Sequence, residues 1–171
     1  MKGRKLLLIL LTLVVTLGMF SEVFAASQMI SVKRSIKYDQ FADIYLGKGG
    51  VYFSPSVYNG SVTVTRIDPD QSHNSKSFKF YPRWLDVSLI LNGSTSEVNK
   101  ANGLVYVYFN LNQQTLNAWN ENELDIFHFN ESTKKWESCE VVRYVKTKNL
   151  PYGRLSCVIE KFGLYGMGVK R

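Results

Sequence analysis

The apolar positions of this chain recur mostly at every second residue, in short runs broken by polar turns, a spacing that predicts strands. The cleanest run is Trp84-Leu85-Asp86-Val87-Ser88-Leu89-Ile90-Leu91, in which Leu85, Val87, Leu89 and Leu91 point one way while Asp86 and Ser88 point the other. Asn92-Gly93 ends it. Leu104 to Phe109 follows, with Val105, Val107 and Phe109 on one face and Leu104, Tyr106 and Tyr108 on the other. Before these, Gly47-Lys48-Gly49-Gly50 breaks the chain ahead of a short strand at Val51-Tyr52-Phe53, which Ser54-Pro55 stops. Asn59-Gly60 turns it into a β-branched strand from Ser61 to Ile67. Asp68 to Lys76 reads as a polar loop. Only Asn112 to Trp119 asks for a helix, with Asn112 as N-cap and Leu116 and Trp119 three apart on one face.

The stretch from Leu124 to Cys157 contains three strand-type runs. Leu124-Asp125-Ile126-Phe127-His128-Phe129-Asn130 comes first, then Lys135-Trp136-Glu137-Ser138-Cys139, then Arg154-Leu155-Ser156-Cys157-Val158-Ile159. Pairing Cys139 with Cys157 across one hairpin also pairs Val141 with Leu155 and sets Ile159 opposite Glu137. Cys139, Val141, Val145, Leu155, Cys157 and Ile159 then share a face, as a half-buried hairpin requires. Asn149 to Gly153 supplies the turn, and this cysteine face is expected to pack on the Leu85–Leu91 face. Phe162 to Met167 makes a last strand. About eight short strands with one short helix predict an all-β chain, a single antiparallel sandwich of immunoglobulin-like type.

The N-terminus departs from this pattern. Lys2, Arg4 and Lys5 precede an apolar stretch from Leu6 to Leu17, and Val23-Phe24-Ala25 has the spacing of a signal-peptidase site. Residues 1–25 are expected to be a signal peptide, residues 26–46 an extended segment or edge strand, and residues 47–171 the sandwich. An uncleaved leader would instead anchor the chain to the membrane. The formal charge of the whole chain is +7, of which the leader carries +2. The remaining excess is mild and suits a solvated basic surface or an anionic neighbour. Two cysteines in an exported chain predict one disulfide, and place the protein in a secreted or periplasmic compartment.

Several segments together resemble a known module. Gly50-Val51-Tyr52-Phe53-Ser54-Pro55, Gly60-Ser61-Val62-Thr63-Val64, Leu124 to Asn130 followed by Lys135-Trp136, and Glu160 to Gly166 occur in an order similar to the β-sandwich of zonula-occludens proteins, netrin receptors and ankyrins. Val105 to Leu111, Ala118-Trp119, Pro151 to Arg154 and Phe162 to Gly166 also resemble a group of small exported bacterial proteins of unknown function. The likeness spans Gly47 to Met167 and implies a fold, not an activity. Some members of the larger module cleave themselves at a His-Phe-Ser sequence. Lys161-Phe162-Gly163 stands there in this chain, so self-cleavage is not expected.

Catalytic signatures are sparse. The two histidines, His73 and His128, lie in a polar loop and a strand, with no serine elbow in the chain. Asp39/Asp43, Asp68/Asp70 and Glu121/Glu123/Asp125 are the carboxylate clusters from which a hydrolase would have to be built. Asp68 to Asn74 offers oxygens to calcium without regular ligand spacing; no metal or cofactor is expected. The aromatic pairs are the better lead. Tyr106 with Tyr108, and Phe127 with Phe129, are candidate binding residues for a surface glycan or a protein, unless they fill a core. Arg143, Lys146, Lys148 and Arg154 form a basic group suited to an anionic polymer or lipid, while nucleic acid is not expected of an exported chain. Asn59, Asn92 and Asn130 begin Asn-x-Ser sequences that also read as turns. The expectation is a non-enzymatic envelope or secreted binding module, with a loop-carboxylate hydrolase or a purely structural component as alternatives.

Overall fold

In the computed structural model, residues 29–170 are described apart from 70–72, 74, 141 and the side chain of residue 170. The expected signal peptide and the oxygen cluster at Asp70, Gln71, Ser72 and Asn74 therefore fall outside the described residues. Twelve strands and one helix are described, more than the eight strands anticipated. Residues 30–46, expected as an extended lead or an edge strand, supply two of the extra strands, Phe78–Phe80 is a third, and the run from Lys135 divides into Lys135–Ser138 and Val142–Thr147.

One sheet contains β1 (Ile30–Ile36), β4 (Gly60–Ile67), β6 (Trp84–Leu91), β12 (Gly163–Lys170), β8 (Leu124–Asn130) and β9 (Lys135–Ser138) in that order, with β5 (Phe78–Phe80) also beside β12. The second has the order β10 (Val142–Thr147), β11 (Leu150–Val158), β7 (Leu104–Asn110), β3 (Gly49–Ser54) and β2 (Ala42–Leu46). Every pairing is antiparallel. The all-β sandwich read from the period-two pattern is what the chain forms.

The two inner faces follow the alternation. Val62, Val64, Leu85, Val87, Leu89, Leu124 and Ile126 come from the first sheet; Ile44, Val51, Phe53, Val105, Val107 and Leu155 come from the second. Burying each of these side chains stabilises the fold by about 1.5–3 kcal/mol. Leu91, assigned to the same stripe, is 37% exposed because it ends its strand.

The helix, α1 (Gln113–Asn120), begins where Asn112 was expected to cap it. The Asn112 side chain accepts from Thr115 N–H, and Thr115 Oγ1 accepts from Asn112 N–H, each at 2.9 Å. Its buried residues are Thr115 and Ala118. Leu116 and Trp119 flank that stripe half-buried, and Trp119 stacks on Tyr144 of β10.

Cys139 and Cys157 are bonded, as expected, with Cα atoms 6.1 Å apart. They do not face each other across a hairpin. Cys139 N–H donates to Ile126 O of β8, which holds it against the first sheet, whereas Cys157 lies within β11 of the second. The bond thus ties one sheet to the other. Cys157 pairs with Val142 and Leu155 with Tyr144, so the expected Val141–Leu155 register is corrected by three residues. Val141 itself lies outside the described residues, and Val145 is 44% exposed, on the opposite face. The physical reason is the crossover after Ser138: a chain leaving one sheet for another spends residues in neither ladder, and parity does not survive the step. The hairpin turn is also tighter than expected, at Lys148-Asn149, with Pro151 to Gly153 already inside β11. β11 lies over β8, and it is β3 that lies over β6.

Candidate functional site

The outer face of the β10-β11-β7-β3-β2 sheet carries the side chains that the inner face does not need. Cross-strand registers arrange them in rows. One row runs Val158, Tyr106, Tyr52 and Asp43; the next runs Arg143, Ser156, Tyr108, Gly50 and Tyr45; a third runs from Val145 through Arg154 to Asn110. The Tyr52 and Tyr106 rings are 6.1 Å apart, and Phe41, 68% exposed, stacks on Tyr52 at 6.3 Å and 19°. Three rings therefore follow one another across the sheet.

Beside them lies a surface trough of about 650 Å³, lined by Tyr45, Tyr52, Tyr106, Arg143, Arg154 and Ser156 among others. Tyr108 forms its floor and is 1% exposed. The ring needs Gly50: a Cβ there would stand 2.6 Å from Tyr108 Oη and 2.4 Å from Ile44 O. Over this space Tyr108 Oη donates to Asp43 Oδ1 at 2.6 Å. Burial pushes the Tyr108 hydroxyl well above its ordinary range; the hydrogen bond to Asp43 and the Asp43 charge push the same way, and Arg154 opposes them. The phenol stays a neutral donor. From above, the Arg154 guanidinium lies 4.1 Å from the centre of the same ring.

Two buried polar atoms in this trough have no hydrogen-bond partner among the described residues: Arg154 Nε, a donor, and Asn110 Oδ1, an acceptor. They belong to residues directly opposite each other on β11 and β7. An unsatisfied buried polar atom costs about 1–3 kcal/mol, so each calls for a partner.

Of the four aromatic residues singled out in the sequence, only Tyr106 presents its ring at this surface. Tyr108 belongs to the same site as its floor. Phe127 and Phe129 are corrected: at 0% and 4% exposure they offer no binding surface. They lie on the outer face of the other sheet in a second cluster with Trp84, Trp136 and Leu164, roofed by Phe78 and Phe80. His73 closes on Phe129 with ring centres 4.6 Å apart, and its carbonyl accepts from Trp136 Nε1. Tyr52, Tyr45, Phe41 and Asn110 were missed. Tyr52 stands between the inward Val51 and Phe53, and Tyr45 between Ile44 and Leu46, so alternation alone could have placed both tyrosines outward.

The basic group divides. Arg143 and Arg154 line the trough, whereas Lys146 and Lys148 are exposed and do not. None of the carboxylates considered for hydrolysis lines it either. Asp43 takes the Tyr108 hydroxyl, Asp125 accepts from Ile126 N–H and Ser138 Oγ, and Asp39, Asp68, Glu121 and Glu123 are exposed. His128 is half-buried against Tyr165 at 4.8 Å; burial holds its imidazole below the ordinary pKa, with Lys161 adding to the effect. Among the described residues no cluster of His, Cys, Asp and Glu could hold a metal, and no helix is long and apolar enough to cross a membrane. Asn59 and Asn130 serve turns, accepting from Tyr38 N–H and from Ser132 and Thr133 N–H. No family model, curated protein or solved structure matches the chain, so its function has to be read from this face.

Proposed function

We propose that this protein is an extracytoplasmic, non-enzymatic binding module whose ligand is a surface glycan held on the outer face of the β10-β11-β7-β3-β2 sheet. The observation that carries this reading is the run of exposed Phe41 and half-buried Tyr52 and Tyr106 beside the trough. A pyranose ring has one face of C–H groups and an edge of hydroxyls. The C–H face packs on an aromatic ring, and the hydroxyls find Ser54, Asn110, Thr147, Ser156 and two guanidinium groups lining the adjoining trough. The rings stand on hydrogen-bonded strands, so little side-chain or loop ordering opposes binding. An export leader and a disulfide that bridges the sheets agree with an oxidising compartment.

Isothermal titration of the oxidised protein against a panel of soluble polysaccharides tests it. Saturable binding to at least one is expected, weakened about tenfold or more by Tyr52→Ala with Tyr106→Ala, since single aromatic anchors are commonly worth over ~1 kcal/mol. Absence of binding across the panel, or binding that the double substitution leaves unchanged, overturns the proposal.

A further inference from the structure

We infer that the trough selects anionic saccharides, with Arg154 and Arg143 gripping an oxyanion carried on a sugar ring while the tyrosines hold the ring itself. This rests on the glycan-binding reading above and names the class of glycan. Three observations carry it. Arg154 lies over Tyr108, its guanidinium carbon 4.1 Å from the ring centre, with its Nε buried and unpartnered among the described residues. A planar donor held this way is ready to pair with a carboxylate or an ester-linked oxyanion. Arg143 pairs with Ser156, two residues along β11 from Arg154, which makes the two arginines diagonal neighbours on one face, their Cα atoms roughly 7–8 Å apart. Like charges on neighbouring side chains repel, and an anion held between them offsets that repulsion.

The third observation is the charge around them. No residue lining the trough is acidic. Asp43 lies on β2 at the far side of Tyr108 and accepts that residue's hydroxyl, and Glu137, Glu140 and Glu160 line a separate hollow that Arg143 also borders. The face is therefore polarised, with a cationic end on β10 and β11 and an aromatic end on β2 and β3. A neutral glycan would use the aromatic end and leave both arginines without an anionic ligand. A glycan bearing carboxylates or sulfates uses both ends. Asn110, opposite Arg154, also lines the trough.

Matched pairs of probes separate this inference from the reading beneath it. Oligogalacturonate is titrated against its full methyl ester, which keeps the backbone and removes the charge, and dextran sulfate against dextran. At least one anionic member is expected to bind tenfold or more tighter than its neutral twin, and which pair shows the difference tells a carboxylate from a sulfate. Arg143→Gln, at an exposed position that folding does not depend on, should remove most of that preference, and Arg154→Gln the remainder. Tyr52→Ala should weaken both members of a pair alike. Equal binding of the charged and neutral twins, still lost on Tyr52→Ala, overturns anion selection and leaves the glycan site standing. A preference that survives both arginine substitutions also overturns it, by moving the charge recognition to Lys146 and Lys148. Absence of binding to every probe counts against the glycan reading as a whole.

Discussion

The two outer faces of this sandwich are both rich in aromatic residues, yet one is closed and the other open. On the sheet containing β6, β8 and β12, the rings of Trp84, Phe127, Phe129 and Trp136 are roofed by Phe78 and Phe80 of β5, with His73 packed at the side. On the opposite sheet Phe41, Tyr52 and Tyr106 have no such roof. Residue type does not separate them, since all are aromatic residues, most of them at outward strand positions. What separates them is whether another segment of the chain crosses over. The covered rings work as a second small core, and the uncovered ones are available to a ligand. Each face even depends on a glycine in the same way: Gly50 makes room for Tyr108, and Gly166 for Trp84, whose Cδ1 would stand 2.8 Å from a Cβ there.

The largest effect should come from opening the closed face. Trp84 is 0% exposed, and Trp84→Ala is expected to lower unfolding free energy by about 3–5 kcal/mol in urea titrations, whereas Tyr106→Ala should stay within about 1 kcal/mol. Equal losses would erase the distinction between the faces. Next comes the link between the sheets. Replacing Cys139 and Cys157 together by serine should cost about 2–4 kcal/mol, the usual range for a disulfide, while the folded fraction keeps its glycan affinity. A loss of affinity in the folded variant would show that the open face depends on the bridge.

The glycine pair sharpens the comparison further. Gly50→Ala and Gly166→Ala should each destabilise by about 1–3 kcal/mol through overpacking, yet only Gly50→Ala should weaken binding, because it displaces Tyr108 from beneath Arg154. If Gly166→Ala weakened binding as much, the two faces would not be independent.

The smallest effect is a pH dependence at Asp86, half-buried on the closed side. Burial raises its carboxyl pKa above the ordinary value of about 4, and the Glu97 charge pushes the same way. The native state thus holds the proton more tightly than the unfolded chain. Stability is lost as pH rises through the ordinary value towards the raised one, and the cost persists above it. Asp86→Asn should therefore raise the melting temperature at pH 7 and leave it nearly unchanged at pH 3. A gain equal at both pH values would mean that charge burial is not its cause.

Much of the architecture was legible because it is encoded between near neighbours. Alternation at Trp84–Leu91 and Leu104–Asn110 sorts inward from outward residues with no knowledge of what lies opposite. Asn112 meets Thr115 within one helical turn, so its cap is visible in the sequence. The two cysteines have only each other to pair with. Outward placement of Tyr106 belongs to the same class, and the same rule applied to Tyr45 and Tyr52 would have completed the aromatic run.

Long-range contacts settled the rest. Phe127 and Phe129 alternate like surface residues, and it is β5 against Phe127, with His73 and Trp136 against Phe129, that covers them. The Cys139–Cys157 register looked like a hairpin until the crossover after β9 put its two ends in different sheets. Arg143 and Arg154 share a trough while Lys146 does not, because the antiparallel pairing of β10 with β11 turns alternate side chains to opposite faces. Strand period and helix cap follow from residues a few positions apart and can be read directly from the chain. Which outer face is roofed, what the disulfide joins and where two arginines meet follow from pairings between distant segments, and those exist only once the sheets have formed.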